Sequence, residues 1–190
     1  MTAKLATGSR GELVYSEQTE ELGEITVAVL DPWADLDVVD DWVRRRGSEF
    51  WGLGGHTREE LGELYAFVDS LPTHHAYLVR RDGEPVVLLQ TYDPEHDPVG
   101  EHYPVEPGDV GVHFFLGGRG APVPGFTLRI LDALCRFVFA QPDAARLVAE
   151  PDVRNERAVA LMARFGFELG DVVELDHKVA QLAYLPRPKG

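Results

Sequence analysis

Cysteine is nearly absent. Cys135 is the only one in 190 residues, so no internal disulfide can form and the core must hold the fold. A lone thiol fits a reducing compartment. Positive charge is also scarce: Lys and Arg total 18 against 32 Asp and Glu, a formal net charge of −14. Such a surface repels phosphate backbones and anionic headgroups, which argues against nucleic-acid and membrane partners. Long apolar runs are missing too; none approaches the roughly 20 residues of a membrane span. Met1–Leu5 lacks the apolar stretch of a secretory signal, so a soluble, cytoplasmic protein is expected. No internal repeat or dividing linker is visible, and no metal is expected.

What is present is an ordinary globular composition, 44% hydrophobic and 26% charged. The length favours one domain over 1–190, with 186–190 as a frayed tail. Glu17 to Glu24 reads as an acidic turn between short strands at Leu13–Tyr15 and Ile25–Leu30. Asp35 to Trp51 carries Leu36, Val39, Trp42 and Val43 at helical spacing. Thr57-Arg58-Glu59-Glu60 is a capping box, which predicts a helix through Leu61, Leu64, Tyr65 and Val68 that Pro72 ends. Asp82-Gly83, between Ala76–Arg80 and Pro85–Gln90, predicts a tight hairpin. Tyr92 to Gly108 reads as a long loop rich in Pro, Gly and charge, of a length that is often functional.

The second half predicts a strand at Val110–Leu116, a Gly/Pro loop at Gly117–Gly125 and a helix over Thr127–Phe139. Cys135, inside that helix, is expected to be a buried, inert thiol. A strand at Arg146–Glu150 follows, then a helix opened by Asn155 and closed by Gly166. Strands over Phe167–Leu175 and Val179–Leu185 finish the chain. A strand–helix–strand unit requires Val110–Leu116 to run parallel to Arg146–Glu150, so the class is mixed α/β.

Three segments can carry chemistry. Gly117-Gly118-Arg119-Gly120-Ala121-Pro122-Val123-Pro124-Gly125 joins a strand to a helix N-terminus, where free N–H groups attract phosphate. Its two prolines remove donors, and a loop of this kind also serves as a plain connection. His113, in an apolar strand, is either a hydrogen-bonded core residue or a general base. Asp152 and Asn155, in Glu150-Pro151-Asp152-Val153-Arg154-Asn155, are either turn and cap residues or part of an acidic site. Trp42, Phe50 and Trp51 are either core or the wall of a binding pocket. The acids of the Tyr92–Gly108 loop are either a solvated face or a lure for a cationic acceptor.

These segments together resemble a known family. From Val110 to Phe167 the chain resembles the GNAT acyl-CoA N-acyltransferases, whose pyrophosphate loop follows the fourth strand and whose fourth and fifth strands splay. A narrower resemblance lies in Gly108-Asp109-x-Gly111-x-His113, Phe139-Ala140-x-Pro142 and Glu150-Pro151-Asp152-x-Arg154-Asn155. These are similar to the siderophore-biosynthesis branch, the acyltransferases of aerobactin, mycobactin and desferrioxamine pathways. Trp42 with Phe50-Trp51, the Asp82–Pro85 hairpin, Tyr92-Asp93-Pro94, and Lys178 with Ala180 fit as well.

The resemblance implies a single-domain GNAT fold: a mixed twisted sheet, flanking helices and a splayed parallel strand pair. It implies transfer of a short acyl group, acetyl or succinyl, from acyl-CoA to N-hydroxycadaverine, N-hydroxylysine or N-hydroxyornithine. His113 matches the proposed general base and Asp152 its acidic partner. Phe115, Leu116, Arg119, Gly120, Gly125, Phe126, Asn155 and Arg157 are the expected acyl-CoA contacts. Trp42, Phe50, Trp51, Tyr92, Asp93 and Glu150 are the expected acceptor contacts. Two departures stand out: Pro122 and Pro124 occupy places where the family loop has glycines, and Met162 stands where many relatives have a proton-donating Tyr. Another amine acceptor, such as lysine or an aminoglycoside, and a non-catalytic acyl-CoA-binding module are the alternatives. The oligomeric state stays open.

Overall fold

The computed structural model describes residues 4–189. Its strands are β1 (Leu13–Thr19), β2 (Gly23–Val29), β3 (His74–Arg81), β4 (Glu84–Tyr92), β5 (Asp109–Leu116), β6 (Arg146–Ala149), β7 (Glu168–Leu175) and β8 (Lys178–Pro186). Its helices are α1 (Leu36–Val43), α2 (Arg58–Ser70), α3 (Phe126–Phe139) and α4 (Glu156–Phe165). The sheet order is β1-β2-β3-β4-β5-β6-β8-β7. The chain forms two compact units, one of Ala6–Gln90 with Phe114–Phe137, the other chiefly of Thr91–His113 and the stretch from Val138 on. The boundaries at Gln90/Thr91 and His113/Phe114 fall inside β4 and β5, not in linkers.

In the first unit, β1 and β2 form a hairpin paired from Leu13↔Ala28 to Thr19↔Gly23. The expected acidic turn over Glu17–Glu24 is therefore shorter: Glu17, Gln18, Thr19 and Glu24 belong to the ladder. Cross-strand bonding keeps them extended, and Arg136 of α3 neutralises Glu17 through two contacts of 2.9 Å. The Thr19 hydroxyl accepts the Leu22 N–H at 2.9 Å and closes the turn. Helix α1 also ends earlier than expected, at Val43. The buried Ser48 hydroxyl, which lies within 2.6 Å of the carbonyls of Val43 and Arg45, ties off the helix end. A single 3-10 turn, Glu49–Trp51, follows.

The capping box of α2 is present, with the Thr57 hydroxyl accepting the Glu60 N–H and Glu60 accepting the Thr57 N–H at 2.7 Å. Asp82 and Gly83 both take positive φ, 48° and 84°, as a tight turn between β3 and β4 demands. Leu36, Val39, Trp42, Val43, Leu61 and Tyr65 pack with Leu30, Leu78 and Leu88 into one apolar cluster. In α3, which begins at Phe126, the Phe137 ring lies 5.1 Å from Tyr77 and 5.5 Å from Tyr15. Cys135 is half-buried rather than fully buried as expected, and desolvation pushes its thiol up to about 12, so it stays protonated.

In the second unit, β5 and β6 are parallel, and β8 runs antiparallel to both β6 and β7. Asn155 caps α4 by accepting the Ala158 N–H at 3.2 Å, and Gly166, with φ 115°, ends it. The long segment after Tyr92 is not irregular throughout. It holds 3-10 turns at Pro94–His96 and Pro98–Glu101, capped by the carboxylates of Asp93 and Asp97. Asp109 is fully buried and paired in fork geometry with Arg146, at 2.7 and 2.8 Å. The tail is tied down further than expected. Pro186 ends β8, and Arg187 donates its N–H to Ala145 and its Nε–H to Ala144, both at 2.8 Å. Gly190 lies outside the described residues.

Candidate active site

The parallel register of β5 and β6 runs from Asp109↔Arg146 to Gly111↔Val148. Beyond it, β5 continues from Val112 to Leu116 while β6 stops at Ala149. His113 and Glu150 stand just past the end of this register. The His113 side chain is 35% exposed, and its Nε2 meets Glu150 Oε1 directly. Glu150 is 4% exposed. Its other oxygen accepts the Tyr92 hydroxyl at 2.8 Å, and Lys178 Nζ lies 3.5 Å from Oε1. The Tyr92 ring faces the imidazole with centroids 5.1 Å apart.

The backbone under this cluster depends on one glycine. A Cβ on Gly111 would fall 2.1 Å from the Tyr92 ring. The Gly111-x-His113 spacing therefore has a steric cause: the strand must be bare where Tyr92 crosses it. Burial alone pushes the Glu150 carboxyl up, but His113, the Lys178 ammonium and the Tyr92 O–H outweigh it and hold the pKa at about 2. Glu150 is thus ionised across the physiological range. Burial and then the Glu150 charge push Tyr92 well above its ordinary value, so it remains a proton donor.

The acid that meets His113 is Glu150, not Asp152. Asp152 accepts the N–H of Arg154 at 2.8 Å and the Arg154 guanidinium through Nε at 3.0 and 3.1 Å and Nη2 at 2.5 Å. Its short side chain is spent on its own turn, and these hydrogen bonds to Arg154 keep its pKa low. Glu150 and Tyr92, expected among acceptor contacts, are instead buried members of the His113 network. Asp93 is likewise engaged internally, by Lys4 Nζ at 2.7 Å and the Glu95 N–H at 3.1 Å. With Glu95 and His96 it brings ligand-type atoms within 4.8 Å of one another, on a largely exposed turn. Lys178 is the member of the network that sequence reasoning left without a role.

Of the expected aromatic wall, Trp42 is core: it is 3% exposed, and its indole covers Gly117, whose Cβ would lie 1.9 Å away. Phe115 packs between Trp42 at 6.1 Å and Trp51 at 5.5 Å. Trp51 is half-buried, with Nε1 3.4 Å from the Tyr65 hydroxyl, and Phe50 is exposed. Arg119, Gly120 and Gly125 are exposed, Leu116 is half-buried, and Phe126 is buried at the start of α3. The Asn155 carboxamide is committed to its helix cap, while Arg157 is exposed on α4. Met162 is buried and offers no proton donor.

A strand that continues past the end of its parallel neighbour, followed in the chain by a Gly-rich segment and a helix, fits the order of elements the resemblance implies. A family model described as an acetyltransferase (GNAT) domain matches residues 31–175. The chain belongs to the GNAT acetyltransferase family. It is 27% identical over 60% of its length to an N-hydroxyputrescine acetyltransferase of Acinetobacter baumannii, covering 55% of that protein. It is 22% identical over 86% of its length to an N(6)-hydroxylysine O-acetyltransferase of Escherichia coli, covering 52% of it. The chain thus spans about half the length of these two relatives. An aminoglycoside N(6')-acetyltransferase type 1 of Klebsiella pneumoniae is 23% identical over 81% of the chain and 79% of its own length.

Solved structures share the α/β fold. An uncharacterised protein of Bacillus halodurans superposes with a TM-score of 0.83 at 20% identity, covering 94% of this chain and 92% of its own. An aminoglycoside acetyltransferase in complex with coenzyme A gives a TM-score of 0.74 at 23% identity, covering 86% and 95%.

Proposed function

We propose that the chain transfers a short acyl group, acetyl or succinyl, from acyl-CoA to the nitrogen of an N-hydroxylated amine, as in hydroxamate siderophore assembly. The observation that carries this reading is the His113 imidazole held against the buried Glu150 carboxylate where β5 outruns β6. An acceptor nitrogen loses a proton as it attacks a thioester carbonyl. His113, partly exposed, takes that proton, and Glu150 orients the ring and stabilises the imidazolium. The N–C bond forms, the C–S bond breaks, and coenzyme A leaves as a thiolate, which needs no strong acid. That suits a chain with Met162 in place of a tyrosine. Backbone N–H groups of β5 beyond Gly111 are the candidates to polarise the carbonyl.

The names of the Acinetobacter and Escherichia relatives support a hydroxylated amine as acceptor. The Klebsiella relative, matched over more of its length, supports an aminoglycoside as the second reading. Exposed Arg119, Arg154 and Arg157 are the cations near chain positions assigned to coenzyme A. No helix among the described residues is long and apolar enough to cross a membrane.

The test is a thiol-release assay with acetyl-CoA and succinyl-CoA. The acceptors are N-hydroxycadaverine, N-hydroxylysine, N-hydroxyornithine, N-hydroxyputrescine, their unhydroxylated amines and kanamycin. Turnover confined to a hydroxylamine is the expected result. Turnover with kanamycin alone selects the second reading, and failure to bind acyl-CoA overturns both.

A further inference from the structure

Arg81 ends β3 and is 7% exposed, yet its hydrogen-bond partners are carbonyls rather than an acid. Nε donates to Leu22 at 2.7 Å, and Nη1 donates to Arg119 at 3.0 Å and to Ala121 at 2.6 Å. Among the described residues, the one carboxylate within 4.0 Å is Asp82, at 3.9 Å. That side chain is 60% exposed and already accepts the Glu24 N–H at 2.9 Å. The guanidinium also stands 5.8 Å from the centre of the Phe126 ring. A buried charge costs several kcal/mol unless it is compensated. Carbonyl dipoles offset part of that cost here but leave the net charge in place.

Arg81 also decides which way the segment faces. All the described peptide bonds are trans, so an Arg119 carbonyl aimed at Arg81 turns the Gly120 N–H to the opposite side. Gly120 takes φ 66°, a left-handed conformation that favours glycine. A second arginine acts in the same sense, as Arg45 Nη1 holds the Gly117 carbonyl at 2.5 Å. The carbonyls of Gly117, Arg119 and Ala121 are thereby tied to arginines. Drawing the negative ends of peptide dipoles inward leaves an outer face suited to an anion.

We propose that Arg81 is a positioning residue for the diphosphate of acyl-CoA: it orients the Arg119 and Ala121 carbonyls and places a positive charge, only partly offset by carbonyls and by Asp82 at 3.9 Å, beneath the Gly117–Gly125 segment. It takes over the work of the N–H donors that Pro122 and Pro124 remove. This deepens the acyl-CoA reading and rests on it.

The test compares two donors carrying the same thioester. Acetyl-CoA has the diphosphate; S-acetylpantetheine lacks it. In R81Q, KM for acetyl-CoA is expected to rise roughly 10- to 100-fold. The kcat with acetyl-CoA and the kinetics with S-acetylpantetheine should stay as in the parent protein. R81K should recover part of the loss, because it keeps the charge without the fork. It also serves as the deciding variant if R81Q does not fold. An unchanged KM for acetyl-CoA in both variants overturns the proposal. Equal losses with both donors overturn it too, because they mark a structural role. If the parent protein itself fails to bind acetyl-CoA, the acyl-CoA reading falls, an outcome distinct from any seen only in the variants.

Discussion

The cluster at His113 and the segment from Gly117 to Gly125 treat buried charge in opposite ways. Around Glu150 the anion is answered by His113, Lys178 and the Tyr92 hydroxyl. Beside the Gly/Pro segment, Arg81 is buried among carbonyls with no acid in hydrogen-bond range. The first arrangement holds the His113–Glu150 pair in fixed geometry, since a satisfied network has little freedom to rearrange. The second, on the proposal above, leaves positive charge for an anionic ligand to meet. The proposed roles give the two regions separate experimental signatures: changes at His113 are expected to act on kcat, and changes at Arg81 on KM for the donor.

The largest effect is expected from removing the base. H113A should lower kcat about 10²- to 10⁴-fold with little change in KM for acyl-CoA, read in the thiol-release assay. A parallel rise in KM for acyl-CoA would break the contrast between the two regions.

Next come the two acids. E150Q leaves Lys178 without its buried partner and should cost about 3–5 kcal/mol in urea unfolding, together with a fall in kcat. D152N should leave kcat nearly intact and cost about 1 kcal/mol, the worth of its turn. The reverse order would restore Asp152 as the partner of His113. The pH dependence of the parent protein follows from the same carboxylate. Glu150 titrates at about 2 in the fold against an ordinary 4.5. Its stabilising contribution is therefore fully present above 4.5 and lost as pH falls through about 2. The difference in unfolding midpoint between E150Q and the parent protein should shrink over that window.

A smaller effect is expected from G111A. The added methyl meets the Tyr92 ring and should cost about 1–3 kcal/mol, read as a lowered Tm. Loss of kcat in the folded fraction would show that Tyr92 must hold its place for His113 to work. The smallest effect concerns Cys135. Its thiol, pushed up to about 12, should label with iodoacetamide only after unfolding.

Much of the fold was legible because its signals are local. The Thr57–Glu60 box, the Asp82-Gly83 turn, the Asn155 cap and the Gly166 stop each act through neighbouring backbone groups, and each is found in place. Helix α1 ends at Val43, short of the expected span to Trp51, because the helical spacing of Leu36, Val39, Trp42 and Val43 stops there and the Ser48 hydroxyl takes the Val43 carbonyl. In the site, His113 and its strand could be singled out from sequence, but its partner could not. Glu150 and Asp152 are both acids in one short motif, and only the three-dimensional turn shows that Asp152 is consumed by Arg154.

The sequence by itself determined the alternation of strands and helices, the parallel pair of β5 and β6, and a formal net charge of −14. Periodicity, caps and net charge are properties of neighbouring residues, or of their sum. Only the tertiary structure decided which acid meets His113, why Gly111 must lack a side chain and where the charge of Arg81 goes. Those outcomes join residues far apart in the chain, Tyr92 to Glu150, Glu150 to Lys178 and Arg81 to Ala121. Such pairs are settled by packing and by the cost of leaving a buried charge or donor unmatched, not by spacing along the chain.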